Sequence, residues 1–209
     1  MLTEAPPVKF NRIISFYNER HKNYGHTSKG LGWSNQEQQV KRFEVFLQML
    51  PIGEYSLHDY GCGYGALLDF LGLHGRLPVA YYGTDICAKQ VFRAKETLNK
   101  HGCEGNIFST HFIMIPADFF IISGTFNVMI GNNLSTWEKY IEIMLSTINL
   151  CSHKGFGFNI LTGKVEHGLY ASEPKRWTDF CSQFGKCEVI SGYLPGDFTI
   201  LIRKEVNVQ

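Results

Sequence analysis

A glycine-rich stretch in the first third of the chain carries residue types and spacing suited to chemistry. It runs from Tyr55 to Leu71 and reads as a short strand, a turn with glycines at 61, 63 and 65, and the start of a helix. Glycine has no Cβ, so the backbone can turn sharply there and approach a bound molecule closely. The helix directs free N–H groups and its positive dipole end at whatever lies over the turn. The stretch therefore predicts a site for a nucleotide-like ligand.

Two cofactor classes fit this spacing, and Asp59 favours one of them. Gly61, Gly63 and Ala66 satisfy the dinucleotide pattern G-x-G-x-x-A, whereas Asp59 and the three glycines satisfy D-x-G-x-G-x-G. A carboxylate two residues before the first glycine would repel a pyrophosphate. S-adenosylmethionine has no phosphate, and its ammonium and sulfonium both favour a nearby carboxylate. The stretch resembles the first motif of the class I S-adenosylmethionine-dependent methyltransferases, D-x-G-C-G-x-G, and an NAD(P)-dependent oxidoreductase is the alternative.

Acidic residues at later strand ends extend the predicted cofactor site. Asp85 ends the predicted second strand about 20 residues after the turn, where an Asp binds ribose hydroxyls in both cofactor classes; a surface Asp or helix cap is the alternative. Ile86 is then placed to touch the adenine. In the resembled family an Asp-containing turn accepts a hydrogen bond from the adenine amino group, and Asp118 within Ala117–Phe119 is its counterpart here. Asn132 is a candidate for lining the cofactor or acceptor pocket.

The segment from Trp33 to Leu47 resembles the N-terminal part of one subgroup of bacterial methyltransferases, where a Trp, a Gln and an Arg-Phe pair recur at these offsets. Gln39 and Arg42 are three residues apart and share one side of a predicted helix. Arg42 is either a bidentate ligand of the methionine carboxylate or a solvated surface charge. The predicted cofactor-binding residues are Asp59, Tyr60, Gly61, Cys62, Gly63, Asp85, Ile86, Ala117, Asp118, Phe119, Asn132, Trp33, Gln39 and Arg42.

The predicted elements alternate between strands and helices along the chain. The stretch between Asn106 and Ile122 permits more than one strand register, and we expect a third strand at about His111–Ile115 and a fourth at Thr125–Gly131. The last two predicted strands are joined by only five residues, 193–197, which permits antiparallel pairing but no parallel crossover. The resemblance implies an α/β, Rossmann-like class I methyltransferase sheet of seven mostly parallel strands, with an antiparallel C-terminal hairpin and helices on both faces. Within one compact domain, we expect residues 1–50 to form a helical cap and lid and residues 51–209 to form the S-adenosylmethionine-binding core.

Composition bounds the function. The 209 residues are 44% hydrophobic and 19% charged, which is typical of one globular α/β domain. No apolar run reaches the roughly 20 residues that span a bilayer, and the N-terminus does not resemble a signal peptide, so we expect a cytoplasmic protein without a membrane partner. Six scattered cysteines without a C-x-x-C pair suggest neither a metal site nor a disulfide framework. A net charge of +1 makes nucleic acid an unlikely partner.

The sequence predicts a methyltransferase that acts on a small-molecule acceptor. Tyr24, Trp33 and Tyr170 are the predicted walls of the acceptor pocket, although Trp33 is as easily an anchor of its loop to the core. No catalytic residue is indicated, because methyl transfer from a sulfonium requires mainly positioning; His26, His153 and His167 are candidate bases by residue type alone. An RNA or protein methyltransferase and a catalytically silent cofactor-binding subunit are the alternatives within this fold.

Overall fold

A seven-stranded sheet organises the chain, and its strand order is β3-β2-β1-β4-β5-β7-β6. The computed structural model describes residues 8–32, 35–112 and 115–205. Strands β1 to β5 are parallel, and β7 lies antiparallel between β5 and β6. The predicted fold class is therefore confirmed. The strands are β1 Ser56–Tyr60, β2 Ala80–Asp85, β3 Glu104–Ser109, β4 Ala117–Ile122, β5 Ser152–Leu161, β6 Lys186–Ser191 and β7 Asp197–Arg203.

Helices cover both faces of this sheet. They are α1 Phe10–Tyr24, α2 Gln36–Leu47, α3 Ala66–Leu73, α4 Ala88–His101, α5 Leu134–Cys151 and α6 Pro174–Cys181, with short 3-10 helices at Lys29–Leu31 and Thr125–Asn127. The side chain of Asn35 caps α2 by accepting the Gln38 N–H at 2.9 Å. One buried cluster joins α2, α3 and α4 to the sheet, and a second joins α1, α5 and α6 to it. None of the helices in the described ranges is long and apolar enough to cross a membrane.

The third and fourth strands differ from the prediction. Strand β3 is Glu104–Ser109 rather than His111–Ile115, and it lies at the sheet edge with only Ile107 fully buried. An edge strand with so few buried positions lacks the apolar pattern by which strands are recognised. Strand β4 is Ala117–Ile122, and most of the apolar stretch at Thr125–Gly131 instead forms a 3-10 helix and turns.

The connection between β3 and β4 has consequences for the site. It consists of residues 110–116, which is shorter than the dozen or more residues of a usual parallel crossover with a helix. Helix α1 from the N-terminus packs against this connection, and the rings of Phe10 and His111 lie 4.6 Å apart. An element from the start of the chain therefore covers the carboxyl ends of the central strands on this side.

Candidate functional site

The glycine turn is bound to the neighbouring strand by its own backbone. The N–H groups of Gly61 and Cys62 both donate to the carbonyl oxygen of Thr84, at 2.7 and 3.0 Å. Gly61 has φ +82°, and a Cβ at this position would lie 2.0 Å from Oγ1 of Thr125. Glycine is therefore required at position 61 both by the left-handed backbone and by the close approach of the loop that follows β4.

Asp85 connects the turn to helix α4. Its Oδ2 accepts the N–H of Gly63 at 2.9 Å, and its Oδ1 accepts the N–H of Cys87 at 2.7 Å. Burial raises the pKa of this carboxyl, and the hydrogen bonds from Cys87 and Gly63 act in the opposite direction. Each carboxylate oxygen retains a lone pair, so the group can still accept hydrogen bonds from a pair of hydroxyls.

A cavity of about 720 Å³ of empty space, part of it open to solvent, lies over these strand ends. Apolar and aromatic side chains with a few polar groups line it, as is usual for a small-molecule or cofactor site. Asp85 and the predicted adenine neighbour Ile86 line it, together with residues of α1 and α5. The lining residues are Phe10, Ile13, Tyr17, Leu31, Tyr60, Gly61, Thr84, Asp85, Ile86, Gln90, Thr110, His111, Ser123, Gly124, Thr125, Trp137 and Tyr140.

Asp59 lines a second, smaller cavity beside the first. Gln39 and Cys62 line this cavity too, while Leu31, Gly61 and Ser123 line both cavities. The carboxylate of Asp59 is buried and accepts the Tyr81 hydroxyl at 2.6 Å. Burial raises the pKa of Asp59 to about 7, and the Tyr81 hydrogen bond only partly offsets this. A buried carboxyl with a raised pKa is stabilised in its ionised form by a cation, such as the ammonium of a methionine moiety.

The loop after β4 contributes site residues that were not predicted from the sequence. Ser123 to Thr125 follow β4 directly and line the main cavity. The N–H of Gly124 donates to Oδ1 of Asn159 at 2.7 Å, and the Thr125 hydroxyl donates to the carbonyl oxygen of Tyr60 at 2.8 Å. The available signal was the apolar run Phe119–Ile122 followed at once by Ser-Gly-Thr, which is the pattern of a buried strand and its turn.

Two tyrosines and a histidine form the wall nearest α5. The Tyr60 hydroxyl donates to the carbonyl oxygen of His111 at 2.9 Å, so the 2.7 Å bond between Tyr60 and Tyr140 takes its proton from Tyr140. Burial raises the pKa of Tyr60 well above its usual value and lowers the pKa of His111. His111 was predicted to lie in a strand; it instead lies at the cavity, and its lowered pKa favours the neutral imidazole.

Three predicted cofactor residues lie toward the amino end of strand β4, away from the carboxyl ends where the cavity lies. Asp118 is at the amino end of β4, where its Oδ2 accepts the N–H of Ser56 at 3.0 Å and its Oδ1 lies 3.2 Å from Nζ of Lys154. Ala117 and Phe119 flank it within the strand. The predicted adenine hydrogen bond of Asp118 and the predicted cofactor contacts of Ala117 and Phe119 are wrong, because Asp85 and the cavity lie at the carboxyl ends of the strands.

Arg42 is neither a surface charge nor a cavity residue. Its side chain is buried and pairs with Asp197: Nε donates to Oδ2 at 2.8 Å, and a second guanidinium nitrogen contacts the same oxygen. The carbonyl oxygen of Gln38 accepts a further hydrogen bond from Arg42 at 3.0 Å. The prediction that Arg42 binds the cofactor carboxylate is corrected, because its guanidinium is held by a carboxylate of the sheet. Trp33 lies outside the described residues.

The remaining predicted pocket residues have structural contacts. Tyr24 is 47% exposed at the end of α1, with the Arg20 guanidinium 5.4 Å from its ring centroid. Tyr170 is buried, where its hydroxyl donates to Glu138 at 3.0 Å and accepts from Trp177. Neither tyrosine lines the two cavities, so their assignment to the acceptor pocket is corrected.

Asn132 holds the start of helix α1. Its Oδ1 accepts the backbone N–H of Lys9 at 2.8 Å, and Asn132 does not line either cavity. The predicted pocket role is corrected, since the apolar segment before it is not a strand that ends at the site. Asn132 instead fixes the helix that covers the main cavity.

The histidines named as candidate bases lie outside the cavities. His153 is near the amino end of β5, and His167 is exposed in the loop after β5. His26 lies between α1 and the first 3-10 helix, with Nδ1 3.3 Å from Oε1 of Gln90. Within residues 8–32, 35–112 and 115–205, no group of three or more His, Cys, Asp or Glu side chains could hold a metal ion.

The two cavities together fit S-adenosylmethionine. Gln90 Nε2 and Ser123 Oγ are buried atoms without a hydrogen-bond partner in the described part of the chain, and both residues line the main cavity. An unpartnered buried polar atom costs roughly 1–3 kcal/mol, which a polar ligand in contact with it would remove. Asp85 suits the ribose, Asp59 suits the ammonium, and Tyr17, Tyr60 and Ile86 offer apolar surface to the adenine.

Comparisons with known proteins agree with this chemistry. No protein-family model matches the chain. The "Putative methyltransferase Rv1506c" of Mycobacterium tuberculosis (strain ATCC 25618 / H37Rv) is 34% identical over 157 residues, which cover 72% of this chain and 93% of that protein.

Solved structures of methyltransferases share the fold. An S-adenosylmethionine-dependent methyltransferase from Clostridium acetobutylicum ATCC 824 has a TM-score of 0.59 at 12% identity, covering 90% of this chain and 98% of the other. Magnesium protoporphyrin IX methyltransferase from Synechocystis PCC 6803, solved with bound S-adenosylmethionine, has a TM-score of 0.58 at 14% identity. The match covers 95% of this chain and 93% of the other. The small RNA methyltransferase HEN1 has a TM-score of 0.59 at 18% identity, covering 80% of this chain and 25% of the other.

The last two of these structures are methyltransferases named for different acceptors, so the fold does not indicate an acceptor. The relative at 34% identity indicates the reaction class, and the strand order and the polar groups of the cavities agree with S-adenosylmethionine as the cofactor. The chain belongs to the class I S-adenosylmethionine-dependent methyltransferases.

Proposed function

We propose that this methyltransferase acts on a small-molecule acceptor, and the observation that carries the proposal is the cover over the main cavity. Phe10, Ile13 and Tyr17 of α1 line one wall, and Trp137 and Tyr140 of α5 line another. An acceptor must reach the cofactor between these two helices. A compact apolar or aromatic molecule fits such a space, which is lined largely by apolar and aromatic side chains.

We propose the following division of the site. Asp85 accepts hydrogen bonds from the ribose, and Asp59 faces the ammonium in the smaller cavity beside Gln39 and Ser123. When bound, the cofactor would supply a methyl group on its sulfonium sulfur: the acceptor nucleophile would bond to the methyl carbon in line as the carbon–sulfur bond breaks and S-adenosylhomocysteine leaves. The chain's contribution is to hold the reactants in that line and to exclude water by means of α1. For an acceptor that must lose a proton, His111 is the base at the cavity wall, because its lowered pKa favours the neutral imidazole.

We further propose that the cap consists of α1 and the following 3-10 helix, within the N-terminal 50 residues predicted for this role. Helix α2 belongs with the core, since Phe43 and Phe46 are buried in the same cluster as α3 and α4. A cytoplasmic location is favoured by six unpaired cysteines, which suit a reducing compartment.

Transfer of a labelled methyl group tests the acceptor class. The protein is incubated with methyl-tritiated S-adenosylmethionine and separate cell fractions: metabolites below about 1 kDa, total RNA, and protein. We expect label in the metabolite fraction with the wild type and much less with Asp85→Asn, while Asp179→Asn on the exposed face of α6 serves as the matched control. Label confined to RNA or protein would overturn the small-molecule proposal. Tight cofactor binding without label in any fraction would identify a catalytically silent subunit.

A further inference from the structure

The side-chain amide of Gln90 has a hydrogen-bond donor that no described residue satisfies. Gln90 is on the first turn of α4, only 1% exposed, and it lines the main cavity together with Asp85 and Ile86. Its Nε2 has no hydrogen-bond partner among the described residues, although the atom is buried. A buried amide group in this state is costly, so the site is more favourable with a hydrogen-bond acceptor bound beside it.

His26 fixes the direction in which this amide points. Its Nδ1 lies 3.3 Å from Oε1 of Gln90, and because a carboxamide oxygen only accepts, Nδ1–H is the donor. The oxygen is thereby held toward the segment between α1 and the first 3-10 helix, and the NH₂ group is the part of the side chain without a partner among the described residues. The His26 ring in turn lies 4.4 Å from that of His21 on α1. The cap therefore contacts a residue that carries an unpartnered donor and lines the main cavity.

We propose that Gln90 is a cofactor-binding residue: its amide N–H donates to an acceptor atom of the adenosine moiety, and His26 is the positioning residue that orients it. The adenosine end is indicated because Gln90 shares its cavity with Asp85, whereas Asp59 and Gln39 line the smaller cavity. Adenosine offers ring nitrogens and ribose oxygens as acceptors. A buried donor discriminates strongly against an analogue that lacks its acceptor, because the donor is then left unpaired. The inference depends on the division of the site proposed above.

Calorimetric titration with S-adenosylhomocysteine and its analogues tests this inference. Each analogue lacks one acceptor: the 1-deaza, 3-deaza, 7-deaza, 2′-deoxy or 3′-deoxy compound. We expect Gln90→Met to bind S-adenosylhomocysteine about tenfold more weakly than the wild type, as expected for one hydrogen bond of about 1.4 kcal/mol. One analogue should bind the wild type about tenfold more weakly than S-adenosylhomocysteine does. The same analogue should bind Gln90→Met as tightly as S-adenosylhomocysteine binds Gln90→Met. Gln183→Met, on the exposed surface, is the matched control and should retain the full affinity.

The role of His26 has its own readout. We expect His26→Ala to lower affinity about threefold, and the double variant with Gln90→Met to bind no more weakly than Gln90→Met alone, because His26 acts through Gln90. Two results would overturn the inference while leaving the methyltransferase assignment intact. One is that Gln90→Met binds S-adenosylhomocysteine as tightly as the wild type; the other is that each analogue loses the same affinity, relative to S-adenosylhomocysteine, in both proteins. Failure of the wild type to bind S-adenosylhomocysteine would overturn both. The urea midpoint of Gln90→Met without ligand should match or exceed that of the wild type; a clear decrease would indicate a purely structural role.

Discussion

The carboxylate of Asp85 accepts the backbone N–H of Gly63 at 2.9 Å, so the end of β2 and the glycine turn form one unit. The second oxygen of Asp85 accepts the N–H of Cys87 at the start of α4. Three backbone segments that surround the cofactor cavity are therefore organised by a single side chain. This arrangement explains why a residue 22 positions beyond Gly63 belongs to the same site.

The close approach of Gly61 and Thr125 predicts that alanine at position 61 destabilises the protein. Gly61→Ala should lower the free energy of unfolding by about 2–4 kcal/mol and weaken cofactor binding, because its Cβ would lie 2.0 Å from Oγ1 of Thr125. Gly75→Ala is the matched control, since Gly75 also has positive φ but has open space within 4 Å of the point that a Cβ would occupy. This control should cost about 1 kcal/mol of backbone strain and leave binding unchanged. Urea unfolding and calorimetric titration measure both effects, and equal losses in the two variants would contradict the steric explanation.

Asp59 predicts a fall in stability with rising pH. Its pKa is about 7 in the folded protein and near 3.8 when unfolded, so between these values the folded state holds a proton that the unfolded chain has released. The free energy of unfolding contributed by this group therefore decreases as pH rises from about 4 to 7, by up to about 4 kcal/mol. Asp59→Asn should remove this decrease. Denaturation curves at pH 5, 6, 7 and 8 make the comparison, and an identical pH slope in both proteins would count against the assigned burial effect.

The same carboxyl predicts pH-dependent cofactor affinity. An ionised Asp59 attracts the ammonium of S-adenosylhomocysteine and a protonated one does not, so affinity should increase between pH 5.5 and 7. Titration in two buffers of different ionisation enthalpy should detect proton release on binding. Asp59→Asn should bind more weakly at pH 7 and release no such proton. Proton uptake by the wild type would indicate that Asp59 does not face the ammonium.

The buried pair of Arg42 and Asp197 predicts a stability effect rather than a binding effect. Arg42→Met leaves the Asp197 carboxylate buried without its cation and should lower the free energy of unfolding by about 3–5 kcal/mol. Adding Asp197→Asn should recover much of that loss, because the unpaired charge is gone. Urea unfolding tests both variants. If Arg42→Met unfolds like the wild type but no longer binds the cofactor, Arg42 contacts the methionine carboxylate after all.

The sequence predicted those parts of the site that depend on residues close together in the sequence. The strand, glycine turn and helix around Gly61, and Asp85 at the end of the next strand, are local patterns with direct physical causes. The hairpin of β6 and β7 followed from the length of its link alone. These elements give most of the sheet and one wall of the main cavity.

The parts that were missed depend on distant contacts. The exposed edge strand β3 has little apolar pattern, so the third and fourth strands were predicted too late in the sequence. Asp118 was therefore expected at the carboxyl end of a strand, whereas it lies at the amino end of β4. The pairing of Arg42 with Asp197 joins residues 155 positions apart, and no local pattern indicates it. The same holds for the packing of α1 over the cavity, which brought Tyr17 to the site and left Tyr24 on the surface.

The central claim is that Asp85 and the glycine turn hold S-adenosylmethionine, and calorimetric titration of the wild type and Asp85→Asn with S-adenosylhomocysteine and NADH tests it most directly. Asp85→Asn keeps the shape of the side chain but loses the charge and half of its acceptor capacity. We predict micromolar binding of S-adenosylhomocysteine by the wild type, at least tenfold weaker binding by the variant, and no binding of NADH. Binding of NADH in place of S-adenosylhomocysteine, or equal affinity of the two proteins for S-adenosylhomocysteine, would contradict the account.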